Sequence, residues 1–323
     1  MTSGGAGTPT AAGRFDRFRS LGGRLSAARP GSRRPRFAPY GFLLPGFIVY
    51  GMFFLWPAWQ MLRLTFFRWD GVTEGSVAGF DNYTRMVGDP LFWNALRNTA
   101  MWSFAAIFVP VVIGLALAIL LSRSRVLGKT MFRTLLFLPQ VLSSVVVAVI
   151  WGWIFNPSFG ALNTVLRSLG LDFLAQGWLG SRNLALPALF IAWTWVHYGF
   201  VMIVFMAAID DLDETFFEAA SVDGASKWQQ IRHILIPLIR APITTIVLIT
   251  AIVAFQIFDL VYLLTNGGPA HATSVLALYM FQAAFHFRKV GYGAAIGIAL
   301  MILIILIAVG LMRLRKAFQE DAL

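Results

Sequence analysis

The chain has 323 residues, of which 58% are hydrophobic and 13% charged, against about 45–50% and about 25% in soluble globular domains. That surplus of apolar side chains has no place in one water-soluble core, which excludes a soluble enzyme or a disordered chain as the main reading. The absence of cysteine excludes disulfides and thiolate metal or redox sites, and a net charge of +11 reads as membrane orientation rather than nucleic-acid binding.

Residues 1–37 form a basic tail, with Arg14, Arg17, Arg33, Arg34 and Arg36 among its cations, suited to an anionic leaflet surface. Six stretches free of Lys, Arg, Asp and Glu follow: 37–62, 98–122, 134–166, 183–209, 241–258 and 290–312. A membrane helix needs about 20 mostly apolar residues, so each stretch predicts a span. The third enters a Gly, Pro and Asn-containing segment at 156–163, which places its helical end near Phe155. The fifth is short, but its apolar pattern continues past Asp259 to Leu264. None alternates as a barrel strand does, so the fold class expected is an all-α polytopic membrane protein.

Cations concentrate in the tail, in the loops after the second and fourth spans (Arg123, Arg125, Lys129, Arg133; Lys227, Arg232, Arg240) and after the sixth (Arg313, Arg315, Lys316). The positive-inside rule then puts both termini in the cytoplasm and the loops 68–97 and 156–182 outside. The chain reads as a basic tail (1–37), one six-span domain (38–316) and a short tail (317–323).

Pro45, Pro57, Pro110, Pro139, Pro187, Pro237 and Pro242 lie in or beside spans, where each can kink its helix. Gly128-Lys129-Thr130 lacks the earlier glycine of a phosphate-binding loop, because Arg123 stands there, so it reads as a turn. Gly293 and Gly297 permit close helix packing within the chain. Asp259 is the one carboxylate inside a predicted span, and must face protein or water. It is either a cavity-lining acceptor or a structural partner for a backbone N–H. His197 lies among Trp193, Trp195, Tyr198 and Phe200 and reads first as a packing residue.

The loop at about 210–237 is the most informative. Acidic Asp210, Asp211, Asp213 and Glu214 suit a helix start, Asp223-Gly224 suits a break, and Trp228, Ile231 and Leu235 have helical spacing. A two-helix elbow with an apolar ridge is expected.

Glu218-Ala219-Ala220, Asp223-Gly224-Ala225 and Ile234-x-Ile236-Pro237 resemble the EAA loop of permease subunits of binding-protein-dependent ABC importers. The family usually has Leu where this chain has Ile236. Leu264-Thr265-Asn266-Gly267-Gly268-Pro269, with Thr273, resembles the segment after the fifth span in carbohydrate-uptake permeases. Phe80-Asp81-Asn82-Tyr83, Leu138-Pro139-Gln140 and Phe155 to Gly160 with Asn163 extend the likeness over roughly 39–316.

The resemblance implies a six-helix permease domain in the inner membrane. Its partners would be a second homologous permease subunit, a cytoplasmic ATPase dimer and an extracytoplasmic solute-binding protein, with no nucleic acid. It implies no cofactor and no enzymatic activity in this chain. Glu218, Ala219, Ala220, Asp223, Gly224 and Trp228 would couple to the ATPase. Trp193, Val196, His197 and Phe200 of the fourth span, Phe255, Gln256 and Asp259 of the fifth, and Ser143 or Ser144 of the third would face the solute. Aromatic faces beside hydrogen-bonding groups suit a sugar, and no Lys or Arg lies in a span core to meet a phosphate. A glycerol-phosphate permease is the nearest alternative. An ion-coupled carrier with Asp259 and His197 as a proton relay is more distant. A membrane enzyme would need paired carboxylates or metal-ligand spacing that the spans lack.

Overall fold

The computed structural model describes residues 38–123 and 127–320 together with Met1, Thr2 and Gly4. The basic tail, and the side chains of Arg123, Arg125, Arg315 and Lys316, lie outside the described residues. Two compact units divide the chain, Met1–Ala58 and Trp59–Leu323.

In the first unit, α1 (Ala38–Tyr50) runs into a π-helical turn, Gly51–Leu55. Pro57 explains the turn: it offers no N–H to the carbonyl four residues back, so the ladder widens locally. The next helix in chain order is α2 (Trp56–Leu64), whose residues fall on both sides of the boundary between the units.

The second unit is mostly helical. A two-stranded antiparallel ribbon pairs β1 (Phe67–Arg68) with β2 (Ser76–Val77), Phe67 opposite Val77. Then come α3 (Asp81–Val87), α4 (Pro90–Arg123), α5 (Lys129–Val141), α6 (Ser144–Ile154) and α7 (Ala161–Ser168). After α8 (Ala185–Asp210) the elbow follows as α9 (Thr215–Val222), α10 (Lys227–Gln230), a π turn (Ile231–Leu235) and α11 (Ile236–Leu238). Pro237 again follows the π turn. The chain closes with α12 (Arg240–Phe255), α13 (Asp259–Leu264), α14 (Leu276–Phe281) and α15 (Val290–Glu320). Among the described residues, four helices cross-match a membrane thickness in length and hydropathy. Six spans result if each of two bent helix pairs counts as one.

The bends correct two expectations. The third span is not one helix: α5 and α6 meet at 100°. Leu142 and Ser143 are extended between them, and the Ser143 hydroxyl accepts the Val146 N–H at 3.4 Å as an N-cap. The fifth span ends at Phe255, and Gln256–Phe258 lead into a separate short helix. Asp259 therefore opens α13, where a carboxylate favours the helix start, instead of lying mid-span.

Close helix approach sets the frame. A side chain at Gly114 on α4 would meet Val201 of α8 at 2.6 Å, and one at Gly199 on α8 would meet the Leu136 carbonyl of α5 at 2.7 Å. Without a hydrophobic drive between helices in lipid, such contact area is what holds them. Gly293 and Gly297 pack within the chain as expected, against Ala284, Met61 and Met280. The loops 68–97 and 156–182 are tied by motif residues. The Asn82 amide donates to the Thr65 and Phe67 carbonyls at 2.8 and 2.9 Å. Asn163 donates to the Pro157 and Gln176 carbonyls and accepts the Trp178 indole N–H at 2.7 Å.

Candidate functional site

Two regions of the second unit gather the residues singled out by sequence. The first is an open cavity of about 270 Å³ between α6, α8 and the α12–α13 break. Ser144, Trp193, Val196, His197, Gln256 and Asp259 all line it. They come from three spans, and the two backbone breaks bring them together. Ser144 sits in the first turn of α6 and Asp259 in the first turn of α13, and the Ser144 hydroxyl donates to Asp259 Oδ2 at 3.3 Å. Both residues are exposed to the cavity side, as is Gln256.

On α8, His197 stacks on Trp193 with ring centroids 3.8 Å apart, and His197 Nδ1 lies 3.0 Å from the Trp193 carbonyl. A carbonyl only accepts, so Nδ1 carries the proton and, in the neutral ring, Nε2 keeps a lone pair. The wall thus presents a carboxylate, an imidazole acceptor, an amide and a hydroxyl beside an aromatic face. Among the described residues, no Lys or Arg lines it.

Two expected members are elsewhere. Phe255 is buried, 6% exposed, because the last turn of α12 directs it into the core before the chain breaks toward the cavity. Phe200, nearly one turn beyond His197, packs with the lower core cluster of Phe205, Met206 and Ile246. Ser143 is spent on capping α6.

The second region is the elbow. The Asp213 carboxylate accepts the Thr215 N–H at 2.9 Å, and that bond and the Thr215 hydroxyl hold the Asp213 carboxyl below its usual range. Gly224 has φ of +79°, the left-handed turn expected from Asp223-Gly224. Ser226 and Gln229 close a capping box that starts α10.

The expected single apolar ridge does not form. Trp228 is 67% exposed while Leu235 is fully buried, because the π turn rotates the later residues out of register. Phe217, Gln230 and Leu235 face inward instead. Glu218, Ala219, Asp223, Gly224 and Trp228 are exposed and Ala220 is half-buried, and Glu218 also lines a cavity with Lys129, Asp210, Lys227 and Gln230. The Gly128 turn before α5 is left-handed as well, and Lys129 reaches Asp210 at 3.8 Å.

Gln230 joins the two helices of the elbow, and sequence reasoning missed it. Its buried amide donates to Ser221 Oγ at 2.9 Å and to the Ala225 carbonyl at 3.1 Å, joining α9 to α10 across the Gly224 turn. The helical spacing of Trp228, Ile231 and Leu235 announced the second helix. Nothing in the sequence marks Gln230, because its partners lie five and nine residues back.

Residues 110–318 match the family described as binding-protein-dependent transport system inner membrane component. The diacetylchitobiose uptake system permease protein of Streptomyces coelicolor is 34% identical, over 78% of this chain and 74% of that protein. The arabinooligosaccharides transport system permease protein of Bacillus subtilis is 31% identical, over 88% of this chain and 90% of that one. The fold is also similar to a chain in the crystal structure of a bacterial ABC transporter involved in the import of the acidic polysaccharide alginate. There the TM-score is 0.76 at 24% identity, covering 86% of this chain and 94% of that one.

Proposed function

The chain belongs to the inner membrane components of binding-protein-dependent transport systems, and from that premise we propose that it is one permease half of an ATP-driven importer for a neutral sugar or oligosaccharide. The observation that carries the substrate class is the cavity wall: an aromatic face with a carboxylate, an imidazole acceptor, an amide and a hydroxyl, and no cation among the described residues. Sugar rings offer C–H faces to aromatics and hydroxyls to such acceptors. An anionic solute such as glycerol phosphate would meet Asp259 with nothing in this wall to offset it. The two carbohydrate-uptake relatives support the same class.

In this reading the cavity faces a second permease subunit, and the elbow is the contact with a cytoplasmic ATPase dimer. The outer loops receive solute from a binding protein, and both termini are cytoplasmic. Hydrolysis belongs to the ATPase subunits; this chain converts their closure into movement of the spans. The exposed Glu218 and Trp228 surface would be the contact, and the Gln230 bonds would make it move as one body.

The test is uptake in proteoliposomes holding the assembled transporter, the binding protein and internal ATP. Sugar accumulation that stops when the ATPase is inactivated supports the reading. Accumulation that follows a proton gradient and survives ATP depletion would establish an ion-coupled carrier built on Asp259 and His197.

A further inference from the structure

A second cavity lies back to back with the first. It is a groove of about 470 Å³ between the N-terminal parts of α4 and α8. Its mouth carries Arg97 and Arg182, both exposed. Arg97 makes one long hydrogen bond, to Asn94 Oδ1 at 3.4 Å. Below them the walls are apolar: Met101 on α4, Leu186 and Phe190 on α8, with buried Trp102 between. Among the described residues, no Asp or Glu lines the groove.

This is an amphipathic slot, cationic at the span ends and apolar along the span. The span ends are where lipid headgroups lie, and guanidinium forks match the paired oxygens of a phosphodiester. We propose that the groove binds an anionic phospholipid, its phosphate on Arg97 and Arg182 and an acyl chain along Met101, Leu186 and Phe190. A zwitterionic headgroup fits less well, because its ammonium would lie beside two guanidiniums.

The groove also shares a wall with the solute cavity. The Trp102 ring meets Phe190 at 5.4 Å and Trp193 at 5.8 Å between centroids, and Trp193 stacks on His197. Lipid in the groove would brace the aromatic stack from behind. The inference needs the spans to lie in a membrane but does not depend on which solute is carried.

The experiment uses the assembled transporter in nanodiscs of phosphatidylcholine. These are doped with a phosphatidylglycerol or a phosphatidylcholine bearing a photoreactive group on one acyl chain, and labelled peptides are read by mass spectrometry. The expected result is labelling of the Met101 and Phe190 peptides by phosphatidylglycerol. It should fall by about fivefold or more for each arginine removed in Arg97→Gln and Arg182→Gln. Arg97→Lys with Arg182→Lys should retain most of it, which separates charge from misfolding. Equal labelling by both lipids, undiminished labelling in the Gln variants, or protection of the groove by a protein subunit would each overturn the proposal.

Discussion

Around the cavity lined by Ser144 and Asp259 the chain is interrupted, and in the elbow it is stitched. Two breaks, at Leu142–Ser143 and Gln256–Phe258, bring Ser144 and Asp259 to a 3.3 Å hydrogen bond. At the elbow, Gln230, the Ser226–Gln229 box and the Asp213–Thr215 bond tie successive turns around Gly224, while Glu218 and Trp228 stay exposed. On the proposed function, a wall that releases a solute would benefit from weak, replaceable contacts, and a part that transmits force would benefit from having few internal freedoms. Substitutions in the elbow should therefore damage coupling at every solute concentration. Substitutions in the cavity should change affinity and preference first.

The largest effect is expected at Gly224. A β-branched side chain at its positive φ costs about 1–2 kcal/mol or more. A factor of ten per 1.4 kcal/mol then predicts that Gly224→Val lowers uptake roughly tenfold with the spans still inserted. Glu218→Ala should act in the same direction by removing a charged acceptor from the contact. The measurement is co-purification of the ATPase with binding-protein-stimulated hydrolysis; normal stimulation in both variants would reduce the elbow to an ordinary interfacial helix.

Gln230→Leu comes next. It keeps the volume but leaves the Ala225 carbonyl without that amide donor, at a cost of about 1–3 kcal/mol. Hydrolysis should continue yet lose its response to loaded binding protein. Protease cleavage around residues 222–227 should accelerate; unchanged cleavage would show that Gln230 does not rigidify the turn.

A smaller effect is expected in the cavity. Asp259→Asn should raise the half-saturating sugar concentration about fivefold, for a lost charged hydrogen bond at an exposed site, with normal complex yield. Loss of expression instead would mark Asp259 as a structural partner of α13. His197→Ala should reorder preference within a panel of sugars, and an unchanged order would remove it from the site.

The smallest concerns pH. Asp213 has its carboxyl held below the usual value, so its capping contribution is present above about pH 4 and lost as pH falls through the lowered value. Elbow proteolysis should therefore be flat from pH 8 to 5 and rise only in stronger acid. A rise near neutrality would assign the sensitivity to another group.

The apolar spans, the Gly224 turn, the second elbow helix and the family were legible in sequence, because each rests on local signals. Hydropathy sums transfer free energies along a window, glycine tolerates positive φ wherever it stands, and caps lie within three residues of what they cap. The breaks were only half legible. Ser143 within an apolar run and Asp259 after Gln256 are helix-start residues, but a hydropathy window averages over them. Tertiary structure alone decided which side chains meet. Phe255 and Gln256 are adjacent in sequence, yet one is buried and the other lines the cavity, because the chain leaves the helix between them. Ser144 and Asp259 are 115 residues apart, and their approach depends on the 100° bend at Leu142–Ser143 and on the chain's turn out of α12. Such directions are set by packing against α8, where glycines at 114 and 199 let three helices close, and no window of one strand of sequence contains both sides of that contact.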